Sequence, residues 1–129
     1  MPRKQYISKE TLLFHAALIA EEQGILTVTS RSVAKSVGCS IQPVFSHFPT
    51  MDDLRKETFY HVCKQVEQEY LKDMDQEDPL VHMIHRILGL ARNKPNLYKL
   101  CYLSGNDYSA GPDNPAMRFQ SNRMLLQKL

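Results

Sequence analysis

Apolar residues recur at helical spacing along most of the chain, and no stretch alternates with the period of two that a half-buried strand needs. The pattern predicts an all-α fold. A first helix is expected from Ser8 to Gln23, with Ser8 as its cap and Leu12, Leu13, Ala16, Ala17, Ile19 and Ala20 as its apolar stripe. Gly24 suits the left-handed position after its end. A polar link (Ile25 to Val28) leads to Thr29, the expected N-cap of a short helix through Val37. Gly38 ends that helix. Ser40 is then the expected cap of another short helix, Ile41 to Phe48, with Pro43 in its first turn, where a missing N–H matters least.

Pro49 closes that run, because the residue before a proline is pushed away from helical geometry. Thr50 with Asp52 and Asp53 reads as an N-cap and an acidic first turn, opening a long helix to Leu71 with Leu54, Thr58, Val62, Val66 and Tyr70 on one face. The stretch DMDQEDP reads as a connector. A fifth helix, Leu80 to Asn93, shows the cleanest stripe: Leu80, Ile84, Ile87, Leu88 and Ala91. A sixth is expected from Pro95 through Ser104, a loop from Gly105 to Pro115, and a last helix from Ala116 to Leu129.

Composition changes this picture little. With 43% apolar and 23% charged residues, 129 residues are enough to bury a real core. No apolar run approaches a membrane span and the start lacks a hydrophobic signal core, so a cytoplasmic location without membrane contact is expected. Cys39, Cys63 and Cys101 are odd in number and widely spaced, which fits a reducing compartment. Net charge is only +2, so total charge does not announce a nucleic-acid binder. The acids concentrate between residues 51 and 78, leaving the first fifty residues mildly basic.

Two short helices across a glycine turn, followed by a long helix, follow the logic of a helix-turn-helix. There the second helix of the pair enters the major groove and the first crosses the backbone. Ala34 is small enough for close approach, Gly38 can make the turn, and Val33, Val37, Val44 and Phe48 supply the buried wedge. Phe45 reads, with Phe48, as a core or wedge residue rather than a nucleobase stacker.

The segment Leu12 to Leu54 resembles the DNA-binding domain of the TetR family of transcriptional regulators. The matching pieces are Ala16-Ala17, Gly24, Thr29 to Arg31, Val33-Ala34, Gly38 to Ser40, Val44 to Phe48 and Asp53-Leu54. The resemblance implies a homeodomain-like three-helix DNA-binding domain over residues 1–50. A helical regulatory and dimerisation domain over 51–129 would follow, with 51–71 as the linking helix.

It further implies a ligand-responsive repressor acting as a homodimer on a palindromic operator in double-stranded DNA, with a small-molecule effector and no cofactor. On this resemblance Thr29, Ser40 and His47 lie at phosphates, Arg31 at a phosphate or a base, and Phe45 belongs to the same DNA-binding set, while Ile41, Gln42 and Pro43 face base edges. Gln42 is the residue among these three able to form a bidentate pair, to adenine. Phe45 stands where a tyrosine is usual and Met51 where a lysine is usual, which removes two backbone contacts and flattens the expected salt dependence.

Similar proteins carry further helices that build a four-helix dimer interface. The expectation here is either a shortened chain or a dimer surface on the last helix, with Phe119, Met124 and Leu125 as contacts. Met83, Tyr98, Cys101, Tyr102 and Phe119 are the expected lining of a ligand cavity. His82 and His85 are expected at the solvent or the core edge, without a third metal ligand at matching spacing. No catalytic constellation is visible in the sequence. The alternative to a regulator is a protein-interaction module that keeps the helix-turn-helix scaffold and binds DNA weakly or not at all.

Overall fold

Helix α1 (Lys9–Gln23) begins where Ser8 Oγ accepts from the Thr11 N–H at 3.1 Å. It buries Leu12, Ala16, Ala17, Ile19 and Ala20. In this computed structural model the chain is described over residues 6–72, 75 and 78–103, and those residues contain helices and turns but no strand. Gly24 takes φ 98° and ψ 162°, a region essentially reserved for glycine, rather than the left-handed helical position its place suggested. Ile25–Thr27 then form one 3₁₀ turn, closed by Thr27 Oγ1 donating to the Gly24 carbonyl at 2.7 Å.

Helix α2 (Ser30–Val37) starts with a reciprocal capping box. Thr29 Oγ1 accepts from the Ser32 N–H, and Ser32 Oγ accepts from the Thr29 N–H. Gly38 is left-handed (φ 84°, ψ 32°), and the N–H groups of Gly38 and Cys39 both reach the Ala34 carbonyl. Helix α3 (Gln42–His47) follows. It starts one residue later than expected: Ile41 is the N-cap, and no side chain, Ser40 included, caps the helix. Pro43 in the first turn removes one N–H that would otherwise need a cap. Phe48 leaves the helix at φ −131°, ψ 90°, as a residue before proline must.

Thr50 and Asp53 form the second capping box and open α4 (Met51–Leu71). This helix buries Phe59 and Cys63 as well as the expected Leu54, Thr58, Val62 and Tyr70. Leu54 sits in a first core with Leu12, Ala16, Val28, Val33, Val44 and Phe48. Phe59, Val62 and Cys63 sit in a second core with Ala17, Leu97, Leu100 and Cys101. Helix α1 therefore serves both cores, through Ala16 in one and Ala17 in the other. Arg55 ties α4 to the 3₁₀ turn, donating from Nε to the Val28 carbonyl and from Nη2 to the Leu26 carbonyl, each at 3.0 Å.

Helix α5 (Pro79–Asn93) departs furthest from the pattern. Asp78 Oδ1, assigned above to the connector, accepts from the Leu80 and Val81 N–H groups and makes Pro79 the first helical residue. The expected core stripe turns outward: Leu80 and Ile84 are each 44% exposed and Leu88 is 61% exposed. His82, expected at the solvent or the core edge, is fully buried, with Nε2 donating to the Tyr70 carbonyl and its ring edge-on to Tyr70. Arg86 donates to the Lys72 carbonyl at 3.1 Å. These polar contacts to the end of α4 set the rotation of α5, because a hydrogen bond fixes direction and apolar burial does not.

The expected sixth helix is broken into α6 (Pro95–Tyr98) and a π-helical turn, Lys99–Leu103. Asn96 Nδ2 donates to the Glu21 carbonyl at 3.0 Å, docking α6 on the end of α1. The expected loop 105–115 and last helix 116–129, with Phe119, Met124 and Leu125, lie outside the described residues.

Candidate functional site

The α2–turn–α3 unit sorts its side chains sharply. Val33, Val44 and Phe48 are fully buried, while Arg31, Ser40, Ile41, Gln42 and Phe45 are exposed. Phe45 is therefore not a wedge residue: four positions after Ile41, it shares Ile41's outward face and is 44% exposed. Gln42 keeps its amide outward, while its backbone carbonyl accepts from Ser46 Oγ. Thr29 and Pro43 are half-buried. Thr29 Oγ1 spends one lone pair in the capping box, which leaves its O–H able to donate outward beside the N-terminal N–H groups of α2.

His47 is half-buried and differently employed from a simple phosphate ligand. Its Nε2 donates to the Ile7 carbonyl at 3.0 Å, and its ring meets Tyr6 edge to face. The histidine holds the segment before α1 against α3, leaving Nδ1 for any other partner. Lys9 is likewise occupied, paired with Glu57 at 2.6 Å and placed 5.5 Å over the Phe48 ring. Lys35, exposed four residues after Arg31 on α2, was counted among the cations of the first fifty residues but not among the expected site residues. Its signal was that i, i+4 spacing of two cations, which extends the basic edge of α2 by one turn.

Behind this unit, α1, α4 and α5 line a cavity of about 590 Å³ that is partly open to solvent. Its apolar wall includes Phe14, Ala17 and Leu18 of α1, Val66 of α4, and Ile87 and Leu90 of α5. Its charged groups are already partnered in part: Glu69 with Lys72 at 2.9 Å and Arg86 at 3.7 Å, and Glu21 with Lys94 at 3.3 Å. Of the expected lining, Tyr102 is present. Met83, Tyr98 and Cys101 do not line it, and Phe119 lies outside the described residues. Cys101 points into the second core against Cys63, because the π-helical turn shifts the register of the segment after α6.

Tyr70 also lines the cavity. It is 3% exposed, and its hydroxyl has no hydrogen-bond partner among the described residues, which puts a buried phenol O–H in the wall of the cleft. Burial pushes the Tyr70 phenol above its ordinary value. Burial first, then the neighbouring Cys101, Tyr70, Cys63 and Tyr98, push the Tyr102 phenol up to about 12.

The sign of the resulting pH dependence is fixed. A phenol whose folded pKa lies above its unfolded value of 10.0 supports the fold fully below 10.0, and that support is lost as pH rises through 12. Stability is expected to fall across this interval by less in Tyr102→Phe than in the parent chain. Denaturant unfolding at stepped alkaline pH, with phenolate absorbance followed in parallel, measures it; equal slopes in both proteins refute it.

No known family model matches the chain, and no curated protein matches it. Among the described residues no helix is long and apolar enough to cross a membrane, and no group of three His, Cys, Asp or Glu side chains is placed to hold a metal ion. The geometry thus offers two surfaces with chemistry. One is a short helix region exposing an amide and two apolar side chains, preceded in the chain by a helix with two exposed cations. The other is a half-apolar cavity with a buried phenol.

Proposed function

We propose that the chain is a sequence-specific DNA-binding transcriptional regulator of TetR type, working as a ligand-responsive repressor and a homodimer. In this reading α1 to α3 form a homeodomain-like head, with residues near 50 dividing it from the rear helices. The observation that carries the proposal is the partition of α3. Val44 and Phe48 anchor it, while Ser40, Ile41 and Gln42 at its start stand in solvent, as do the cations Arg31 and Lys35 of α2. A helix held by one face and presented by its N-terminal residues is the form in which base edges are read in the major groove. The cavity between α1, α4 and α5 is the place for an effector, since a ligand gripping both α1 and α4 favours one arrangement of the head over another.

The test is selection of bound duplexes from a random pool, followed by titration across salt. A palindrome is expected, with half-sites about one helical turn, roughly 34–36 Å, apart. Failure to prefer any sequence over random duplex would falsify the proposal.

The second reading, a protein-interaction module, is favoured by one observation. Ile41, Phe45 and Met51 are 38%, 44% and 37% exposed, giving the same region of the molecule an apolar character that phosphate contacts do not use. Under that reading duplex DNA binds weakly or not at all, with no salt-dependent association.

A further inference from the structure

Cys63 and Cys101 stand 38 positions apart in the chain, yet the fold sets their Sγ atoms 3.8 Å from each other. They are 1% and 4% exposed. Cys63 projects from the middle of α4, and Cys101 from the π-helical turn Lys99–Leu103, so the pair joins two separate elements across the second core. Cys39 is elsewhere, half-buried at the edge of the first core. A disulfide has a sulfur–sulfur length of about 2.05 Å, so bridging needs the two sulfurs to close by under about 2 Å, a displacement that side-chain rotation and a small shift of one turn supply.

We propose that Cys63 and Cys101 form an oxidative modification site, a dithiol that a small organic disulfide of the glutathione class converts to an intramolecular crosslink between α4 and the Lys99–Leu103 turn. The first cysteine, as thiolate, attacks the reagent, forming a mixed disulfide and expelling one thiol. The second cysteine then displaces the remaining half. Two S–H bonds are lost and one S–S bond is gained, while the reagent leaves as two thiols that carry both protons. The protein is oxidised by two electrons and the reagent reduced by two.

The surroundings set the pace. Hydrogen bonding to Cys101 and then burial push the Cys63 thiol far above its ordinary range, so the closed fold holds Cys63 as the unreactive thiol. Reaction therefore waits for the second core to open around the Lys99–Leu103 turn, since both cysteines are buried in it. For the same reason the finished bond is shielded from reductants. The crosslink also reaches the cavity, because Tyr102 follows Cys101 directly and lines it.

The full chain is incubated with oxidised glutathione in its native state and, separately, unfolded in guanidinium. Both samples are then acid-quenched, alkylated and peptide-mapped without reduction. In the native sample one linked peptide pair is expected, joining Cys63 to Cys101 and lighter by two hydrogens, with Cys39 alkylated. In the unfolded sample all three pairings form. The native crosslinked chain is expected to melt about 5–15 °C higher, reversibly on reduction, in line with the loop that is closed.

Cys39→Ser retains both results; Cys63→Ala and Cys101→Ala lose both. Where the two alanine variants fail to fold, the parent chain and Cys39→Ser decide the matter. A native chain that gives no reaction, mixed glutathione adducts only, or the same pairings as the unfolded chain overturns the proposal.

Discussion

Replacing Phe48 with alanine is expected to cost about 3–5 kcal/mol, while Phe45→Ala, three residues earlier, is expected to change stability by no more than about 0.5 kcal/mol. Phe48 is fully buried in the first core with residues from α1, α2, α3 and α4, so its removal leaves a cavity that four elements must collapse to fill. Lys9, placed over the ring, loses its aromatic partner as well. Set against a total stability of about 5–15 kcal/mol for an ordinary domain, that loss is enough to populate chains whose first core is open. Phe45 is 44% exposed, and truncating it leaves no void. Guanidinium unfolding followed by circular dichroism measures both variants. Equal costs, or a larger cost for Phe45, would mean that α3 docks through the opposite face.

Those two phenylalanines mark the limit of what the sequence disclosed about the site. Read by type, both were wedge residues; only the rotation of a six-residue helix separates them, and a helix that short carries too few positions to define its own periodicity. Local chemistry was legible. Ser8, Thr29 and Thr50 cap the helices they were expected to cap, Gly38 makes the left-handed turn, and Pro43 and Pro49 bracket α3. Each of these depends on residues within a few positions of one another.

What depends on distant partners was not legible. The orientation of α5 follows from Asp78, His82 and Arg86 meeting the end of α4, so its strongest apolar stripe gave the wrong face. The cavity uses Phe14 and Leu18 from the side of α1 opposite its core stripe, and the Cys63–Cys101 approach joins two elements from residues 38 positions apart.

Restoring the two polar tips that the proposed DNA-reading surface lacks is expected to have the largest effect on binding. Phe45→Tyr adds a hydroxyl able to reach a phosphate, and Met51→Lys adds a cation at the start of α4; both positions are exposed, so neither change disturbs a core. A hydrogen bond to a charged group is worth about 1.5 kcal/mol or more, which is a gain of about tenfold for each variant. The two gains differ in kind. The lysine neutralises one more phosphate and so steepens the dependence of log affinity on log salt by about 0.9 per bound head, whereas the neutral hydroxyl leaves that slope unchanged.

Gln42→Ala acts on the other axis. It is expected to cost about 1–3 kcal/mol of preference for its base while leaving the slope as it was. Titrations of the three variants against a selected duplex and a random one, each over a range of salt, separate these effects. If Met51→Lys changes neither affinity nor slope, the start of α4 does not approach the backbone. The exposed apolar trio Ile41, Phe45 and Met51 is then better explained by a protein surface than by a DNA groove.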